Sequence, residues 1–451
     1  MRGAKRAIFA ATLALAWLPA GARAQAPAAG PPRELTLDEA LAMAKRTNRS
    51  LIAERAHLAQ AQTNVEQAWA VLFPTVTAQG KFTRNYKEVD LDFGALFTSL
   101  GLQLTPTPGA TPAAPITILK QNQLDASINA TMPLLAPAAY PALEAVKTGV
   151  RSSEASYDSS EASVLFSVAQ TFYAAAVADE VLITRHSSIA VDRATLENAQ
   201  TRFAAGTVTK VDVDRAELAL VRAEQSELDA RYGQAQAYRA LATLIQADAP
   251  FKVRVPESST VPVSDDLDSA LHLRPELRVL TFSEKSAEAQ SRAYGWRWAP
   301  TLSAFGKANI GNYKGFSGDD YAWSAGLQLD WTLYDGGTRD AQRHLATAQA
   351  AEAQARAEVL TDSIRDDLVN THSLLDTKRQ AVQAATRAVS LAQETLDLVR
   401  SQYEAGTVTQ VDLLQAQDNL VAAQEALAQS HFDVAVADLT LRRAAGTFPA
   451  R

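Results

Sequence analysis

The chain has 451 residues, 47% apolar and 21% charged, with 43 Lys plus Arg against 50 Asp plus Glu and no cysteine. This composition excludes wholesale disorder. A net charge of −7 without a basic cluster beyond the N-terminal segment excludes a partner held by phosphate neutralisation, so no nucleic acid is expected. The absence of Cys excludes disulfides, thiolate nucleophiles, Cys-ligated metals and a lipoprotein acyl anchor.

Residues 1–24 carry a basic start (Arg2, Lys5, Arg6), an apolar run from Ala7 to Ala20 and the small-x-small triplet Ala22-Arg23-Ala24. This is the pattern of a signal peptide cleaved after Ala24. No later stretch offers about 18 consecutive apolar residues, so the mature chain is expected to lack a membrane-spanning helix.

The first structural repeat, residues 25–250, contains two predicted strands, about 75–86 and 121–133. In the first, Val76, Ala78, Gly80 and Phe82 share one face and Thr75, Thr77, Gln79 and Lys81 the other. In the second, Leu124, Ala126, Ile128, Ala130 and Met132 oppose Gln123, Asp125, Ser127, Asn129 and Thr131. Residues 87–120, with four prolines, read as a long loop. Two helices follow, about 138–203 and 210–246. No proline interrupts residues 142–249, and Gly206 and Gly233 are the only glycines between 150 and 246. A helix of roughly 60–65 residues reaches about 90–100 Å.

The second repeat, residues 251–451, has the same plan. Residues 247–268 and the C-terminal tail are irregular and predict a collar around the helices. Strands are predicted at about 301–310 and 321–334, joined by a short loop over 311–320. In the third strand Phe305 breaks an otherwise regular alternation. The fourth is the clearest, with Tyr321, Trp323, Ala325, Leu327, Leu329, Trp331 and Leu333 opposing Ala322, Ser324, Gly326, Gln328, Asp330 and Thr332. Helices are predicted over about 338–403 and 410–443.

The chain duplicates itself. Seven of the eight residues 205–212 are identical to 405–412, and Pro74-Thr-Val-Thr-Ala-Gln-Gly-Lys81 is echoed by Pro300-Thr-Leu-Ser-Ala-Phe-Gly-Lys307. Each helical hairpin breaks at Ala-Gly-Thr-Val-Thr. Gly206 or Gly406 can end the first helix at positive φ. Thr209 or Thr409 can cap the next, with Asp212 or Asp412 in its first turn, where a carboxylate suits the helix dipole. Apolar residues recur every seven along these helices, as in Val168, Ala175, Leu182 and Ile189, and in Leu368, Leu375, Val382 and Val389. A strict heptad implies left-handed supercoiling.

Each strand is long enough to cross a bilayer at a tilt, which takes roughly 9–11 residues. Four strands cannot close around water, and an open edge in lipid leaves backbone groups unpaired. If these are membrane strands, several subunits must therefore contribute them, in a number the sequence does not fix. The competing account is a non-conducting periplasmic coiled-coil rod or adaptor, whose alternating segments would pack on each other.

Taken together, the signal, the duplicated strand–strand–helix–helix unit and Gly-Thr-x-Thr-x-Val-Asp at both turns resemble the TolC-like outer-membrane efflux protein family. The resemblance covers about residues 35–446. It implies a mixed α/β membrane protein: a homotrimer sharing one 12-stranded transmembrane β-barrel, four strands per chain, continued by a long α-helical coiled-coil barrel. It implies residence in outer-membrane lipid with a large periplasmic portion, docking to a periplasmic adaptor (membrane fusion) protein, and coupling to an inner-membrane transporter. It places docking at Ala205, Gly206, Thr207 and Ala405, Gly406, Thr407; the bland account is that these are efficient turns. It places an acidic periplasmic entrance at Asp412, where the second acidic position is Gln415 and the first-copy equivalents are Asp212 and Arg215. Asp412 is equally well read as stabilising its own helix start.

The expected function is the exit duct of a tripartite efflux or type I secretion system, conducting passively. No Gly-x-x-x-x-Gly-Lys-Ser/Thr loop is present to cradle a nucleotide, so energy must come from the partner. No Gly-x-Ser-x-Gly elbow or His-Glu-x-x-His helix is present, and the six histidines form no i,i+4 pair. No catalytic residue, metal or cofactor is expected.

Overall fold

The computed structural model describes residues 33–102, 115–247, 249–255, 267–312 and 319–449. The expected signal peptide, the proline-rich part of the first loop, residues 313–318 and residues 256–266 of the expected collar lie outside them. The first repeat runs β1 (Arg33–Leu35), α1 (Leu37–Thr47), α2 (Arg49–Ala70), β2 (Thr75–Arg84), β3 (Val89–Leu91), α3 (Phe93–Ser99), β4 (Ile116–Leu119), β5 (Asn122–Leu135), α4 (Ala139–Ala204) and α5 (Lys210–Ile245). The second runs β6 (Phe251–Val253), α6 (Leu267–Leu273), α7 (Pro275–Trp296), β7 (Thr301–Gly311), β8 (Tyr321–Asp330), α8 (Thr338–Glu404) and α9 (Gln410–Ala444).

The four long strands form one antiparallel sheet in the order β2-β5-β7-β8. Its register puts all the apolar alternates on one face. Among the described residues nothing covers that face: Val76 is 69% exposed and Trp323 74%. A half-buried soluble sheet would hide these side chains. Phe305, the residue out of pattern, lies on the polar face opposite Gly326. Its ring fills the space over that glycine, 3.2 Å from where a Cβ would stand, so it is locally satisfied by a cross-strand pair.

The helices form a layer in the same order as the strands. Helix α4 packs against α2 and α5 on one side and α7 and α9 on the other, and α8 packs against α7 and α9. Helix α2 leads into β2, β5 into α4, α7 into β7 and β8 into α8. One window within α4 is apolar enough by composition to cross a membrane, with mean hydropathy 1.2; α4 has the most helical neighbours, which accounts for that apolarity.

Short helices α2 and α7 abut the ends of α5 and α9. Asn48 Oδ1 accepts from Ser50 N and Leu51 N, capping α2, while its Nδ2 donates to Leu244 O at 2.8 Å. Thr47 Oγ1 donates to Ile245 O at 2.7 Å. Orphan donors of one helix and orphan acceptors of the next are thus satisfied at one joint. In the second repeat Arg274 Nε donates to Ala444 O at 3.0 Å, with Pro275 at the first helical position.

The largest core cluster lies where α1, β1 and β6 pack on α4 and α5, and it includes Leu35, Leu165, Phe172, Leu241, Ile245 and Phe448. Strands β1 and β6 pair in parallel. Tyr238 Oη donates to Asp179 Oδ2 at 2.7 Å and accepts from Val253 N at 3.1 Å, tying β6 to both helices. Burial and the Asp179 carboxylate push the Tyr238 hydroxyl up to about 12.

Helices α1, α2, α6 and α7 add to the predicted elements. Two expectations require correction. The region expected as a plain loop over 87–120 holds α3 and the β3–β4 hairpin, with Asp92 capping α3 through Gly94 N and Ala95 N. The fourth strand ends at Asp330, not near residue 334. There Trp331 Nε1 turns to Trp298 O at 3.1 Å, and Arg339 Nη1 takes Thr332 O at 2.9 Å, which draws the backbone away from the ladder.

Candidate functional site

The two hairpin turns repeat each other bond for bond. In the first, Gly206 N donates to Phe203 O at 2.9 Å and Thr207 N to Arg202 O at 2.9 Å. In the second, Gly406 N donates to Tyr403 O at 3.1 Å and Thr407 N to Gln402 O at 2.9 Å. This is a Schellman closure with glycine in the left-handed region, φ +74° and +76°. The Thr207 and Thr407 hydroxyls add a second donor to the same Arg202 and Gln402 carbonyls. Ala205 and Ala405 are the C-caps. All six predicted turn residues are exposed apart from their backbone closure.

The return helices start alike. The Thr209 backbone amide and hydroxyl both donate to Asp212 Oδ2, at 3.0 and 2.8 Å. The Thr409 pair reaches Asp412 Oδ2 at 2.9 and 2.7 Å. These are capping boxes. Hydrogen bonds from Thr209, with a smaller contribution from the Arg215 charge, hold the Asp212 carboxyl below the usual range. Hydrogen bonds from Thr409 do the same for Asp412. Both stay anionic at neutral pH. Arg215 Nη1 stands 3.7 Å from Asp212 Oδ1. Gln415 bonds Asn419 and does not join Asp412. Asp212 and Asp412 each serve their own hairpin.

A contact between Arg202 and the heptad residue Tyr403 brings the two hairpins together. Arg202, at the end of α4, donates from Nη1 to Tyr403 O at 3.2 Å, and its guanidinium lies 4.6 Å from the centre of the Tyr403 ring. Tyr403 is buried. Between α4 and α9 there is a second seam, in which Gln417 Nε2 donates to Thr195 Oγ1 at 3.0 Å and Arg185 Nη2 to Glu425 Oε2 at 2.7 Å. Between them Asp192 on α4 faces Asp418 on α9, and burial, with the Asp418 charge, pushes Asp192 up to about 6. One signal was available in the sequence. Gln410, Gln417 and Gln424 recur every seven on α9, and a polar heptad position inside a seam marks a specific contact.

The seam is polar and incompletely satisfied, with Gln417 Oε1 and the Gln410 amide buried without partners among the described residues, while the region where α1, β1 and β6 pack on α4 and α5 is held by a packed apolar core. The far ends of the helices are therefore the part of this chain best able to separate.

Comparison with known proteins agrees with this architecture. BepC, an outer membrane efflux protein of Brucella suis, is 26% identical over 279 residues, covering 60% of this chain and 60% of that protein. The outer membrane protein TolC of Vibrio cholerae is 25% identical over 337 residues, covering 72% of this chain and 77% of that protein. This chain therefore spans about three fifths of the length of BepC. The solved structure of the outer membrane protein VceC from Vibrio cholerae shares the fold, with a TM-score of 0.72 at 19% identity, covering 91% of this chain and 96% of that one. The family described as outer membrane efflux protein matches residues 40–246 and 267–447, which takes in both repeats. Relatives of this chain include outer membrane proteins, among them the outer-membrane channel OprN. With both repeats matched and the fold shared, the chain belongs to the outer membrane efflux protein family.

Proposed function

We propose that this chain is the outer-membrane exit duct of a tripartite efflux or type I secretion system, conducting substrate passively from an inner-membrane transporter across the periplasm and the outer membrane. The observation that carries the reading is the four-stranded sheet with one bare apolar face, one polar face and two unpaired edges, β2 and β8. In lipid an unpaired edge costs several kcal/mol per backbone group. Copies of the same chain remove both edges by joining β8 of one to β2 of the next. Three copies supply twelve strands, an even number within the range of outer-membrane barrels. The helical layer ends at α2 and α5 on the β2 side and at α8 on the β8 side, so the same closure makes a helical tunnel.

The hairpin turns lie at the far end of that tunnel. Their exposed, small, closely similar surfaces fit docking by a periplasmic adaptor at Ala205, Gly206, Thr207 and Ala405, Gly406, Thr407. At the entrance, Asp412 is anionic and exposed, with one oxygen already engaged by Thr409. Asp212 is partly offset by Arg215. Three copies of Asp412 would give a single anionic ring, with Gln415 neutral beside it. Opening is a parting of the two hairpin tips where Arg202 of α4 meets Tyr403 of α8.

The test is to purify the protein from outer membranes, size the unboiled complex and record its conductance in a planar bilayer. A trimer with discrete conductance supports the duct, and a water-soluble, non-conducting species overturns it. Asp412→Asn keeps an acceptor for the helix start and removes the charge. A fall in cation preference supports the ring, and an unchanged preference removes it.

A further inference from the structure

Helix α9 buries amides where its counterpart in the first repeat exposes charges. At the offset of 200 residues that relates the two turns, Gln410 and Gln417 stand in place of Lys210 and Glu217. Lys210 and Glu217 are exposed on α5. Gln410 is only 3% exposed and Gln417 9%. Among the described residues the Gln410 amide has no partner at either atom, and Gln417 Oε1 has none. These atoms are covered within one chain, so a second copy is not placed to bond them. Contacts along the seam give its register. Ser163 meets Arg443, Arg185 meets Glu425 and Thr195 meets Gln417, so α4 and α9 run antiparallel. Seven residues back from Gln417, Gln410 therefore stands at the level of Arg202, whose Nη1 donates to Tyr403 O instead. Leu413 and Ala416 are buried in the same stretch of α9. The tip end of the seam is thus apolar packing interrupted at two heptad positions by amides that the described residues leave partly or wholly unbonded.

We propose that Gln410 and Gln417 set the balance between closed and open hairpin tips by favouring the open state. The inference rests on the duct and the tip opening proposed above. A buried amide that lacks a protein partner is worse off than in bulk water, whereas an apolar side chain of the same length is better off. When α9 leaves α4, both amides reach bulk water. They therefore oppose the Arg202–Tyr403 contact, which holds the same end shut. A charge at either position, as on α5, would be too costly to bury unpaired. An amide can be buried here and still yield. Thr195 does not depend on Gln417, because its own hydroxyl donates to Val191 O at 3.0 Å.

Gln410→Met and Gln417→Met, singly and together in the full-length protein, test this by two readouts. One is amide hydrogen exchange over residues 195–204 and 409–417 in detergent. The other is the open fraction of single channels in a planar bilayer. The double variant is expected to slow exchange in both segments at least about fivefold and to lower the open fraction by a similar factor, with each single variant moving the same way by less. Leu413→Ala, which removes packing from the same seam, moves both readouts in the opposite direction. Unchanged or faster exchange in the double variant overturns the proposal, because a seam held shut by its amides loosens when they are removed. An unchanged open fraction in a conducting channel also overturns it. A wild-type protein without conductance overturns the duct, and the exchange measurement, which needs no channel, still decides what the amides do.

Discussion

Asn48 serves two helices at once, and its side chain shows how much of this fold hangs on single residues. One amide caps α2 and closes the end of α5. Asn48→Ala should therefore cost more than an ordinary cap, about 2 kcal/mol, read as a lowered Tm of the detergent-solubilised protein. The glycines divide similarly. At Gly206 and Gly406 a Cβ would meet nothing within 4 Å, so alanine there costs only the positive φ, about 1 kcal/mol each. At Gly446, also at positive φ, a Cβ would stand 2.7 Å from Leu273 Cβ. Gly446→Ala should cost visibly more in the same measurement. Asp192 gives the pH dependence. Its folded-state value of about 6 lies above its ordinary 3.8, so the charged form is disfavoured in the seam. The seam is tightest below about pH 4, and that stability is lost as pH rises through about 6. Asp192→Asn should match wild type near pH 4 and exceed it at pH 7.5, by about 1 kcal/mol after solvent screening. An unchanged difference between the two pH values would remove Asp192 from the account.

Among the elements, the contact between the ends of α4 and α8 is where a small change should reach function. Arg202 holds Tyr403 by a hydrogen bond and by its ring face. Arg202→Ala should raise the single-channel conductance or the open fraction several-fold, and a disulfide placed across residues 202 and 403 should abolish transport. The same contact shows what a sequence conceals. The hairpin turns were legible because Gly206, Thr209 and Asp212 act within a few residues of one another, and their local chemistry decides their geometry. The strands were legible because a period of two needs only one strand to be seen. Arg202 and Tyr403 are two hundred positions apart, and nothing local marks either as a partner. Helices α1 and α2 were less hidden. The Thr36 and Glu39 capping box and the Asn48 cap stand in the sequence, but these helices are short beside α4 and α8, and length drew the reading elsewhere. Phe305 looked like an error in a strand until Gly326 was found opposite it. A pairing that fills a gap across strands is invisible from one strand alone.

At the scale of the whole molecule, strand order and helix order coincide, and each strand is chained to the helix beneath it. Closure of the sheet and closure of the helical layer are then one event. Cysteines placed on β2 and β8 should crosslink between copies into a closed ring of three, and an open ladder of higher oligomers would contradict the arrangement. Helices α4 and α8 run 66 and 67 residues without interruption, about 100 Å each. They act as rulers. Residue count fixes how far the turns stand from the membrane, in steps of about 1.5 Å. Removing one heptad from each of α4, α5, α8 and α9 keeps nearly the same faces in contact and shortens the stand-off by about 10 Å. On the duct and tip docking proposed above, such a protein should still conduct in a planar bilayer yet fail to export in cells, because its tips would no longer meet a partner anchored at a fixed distance. Removing four residues instead turns each lower face by about 40° and should prevent assembly. On that proposal, the span of the cell envelope is written in this chain as a number of helical turns.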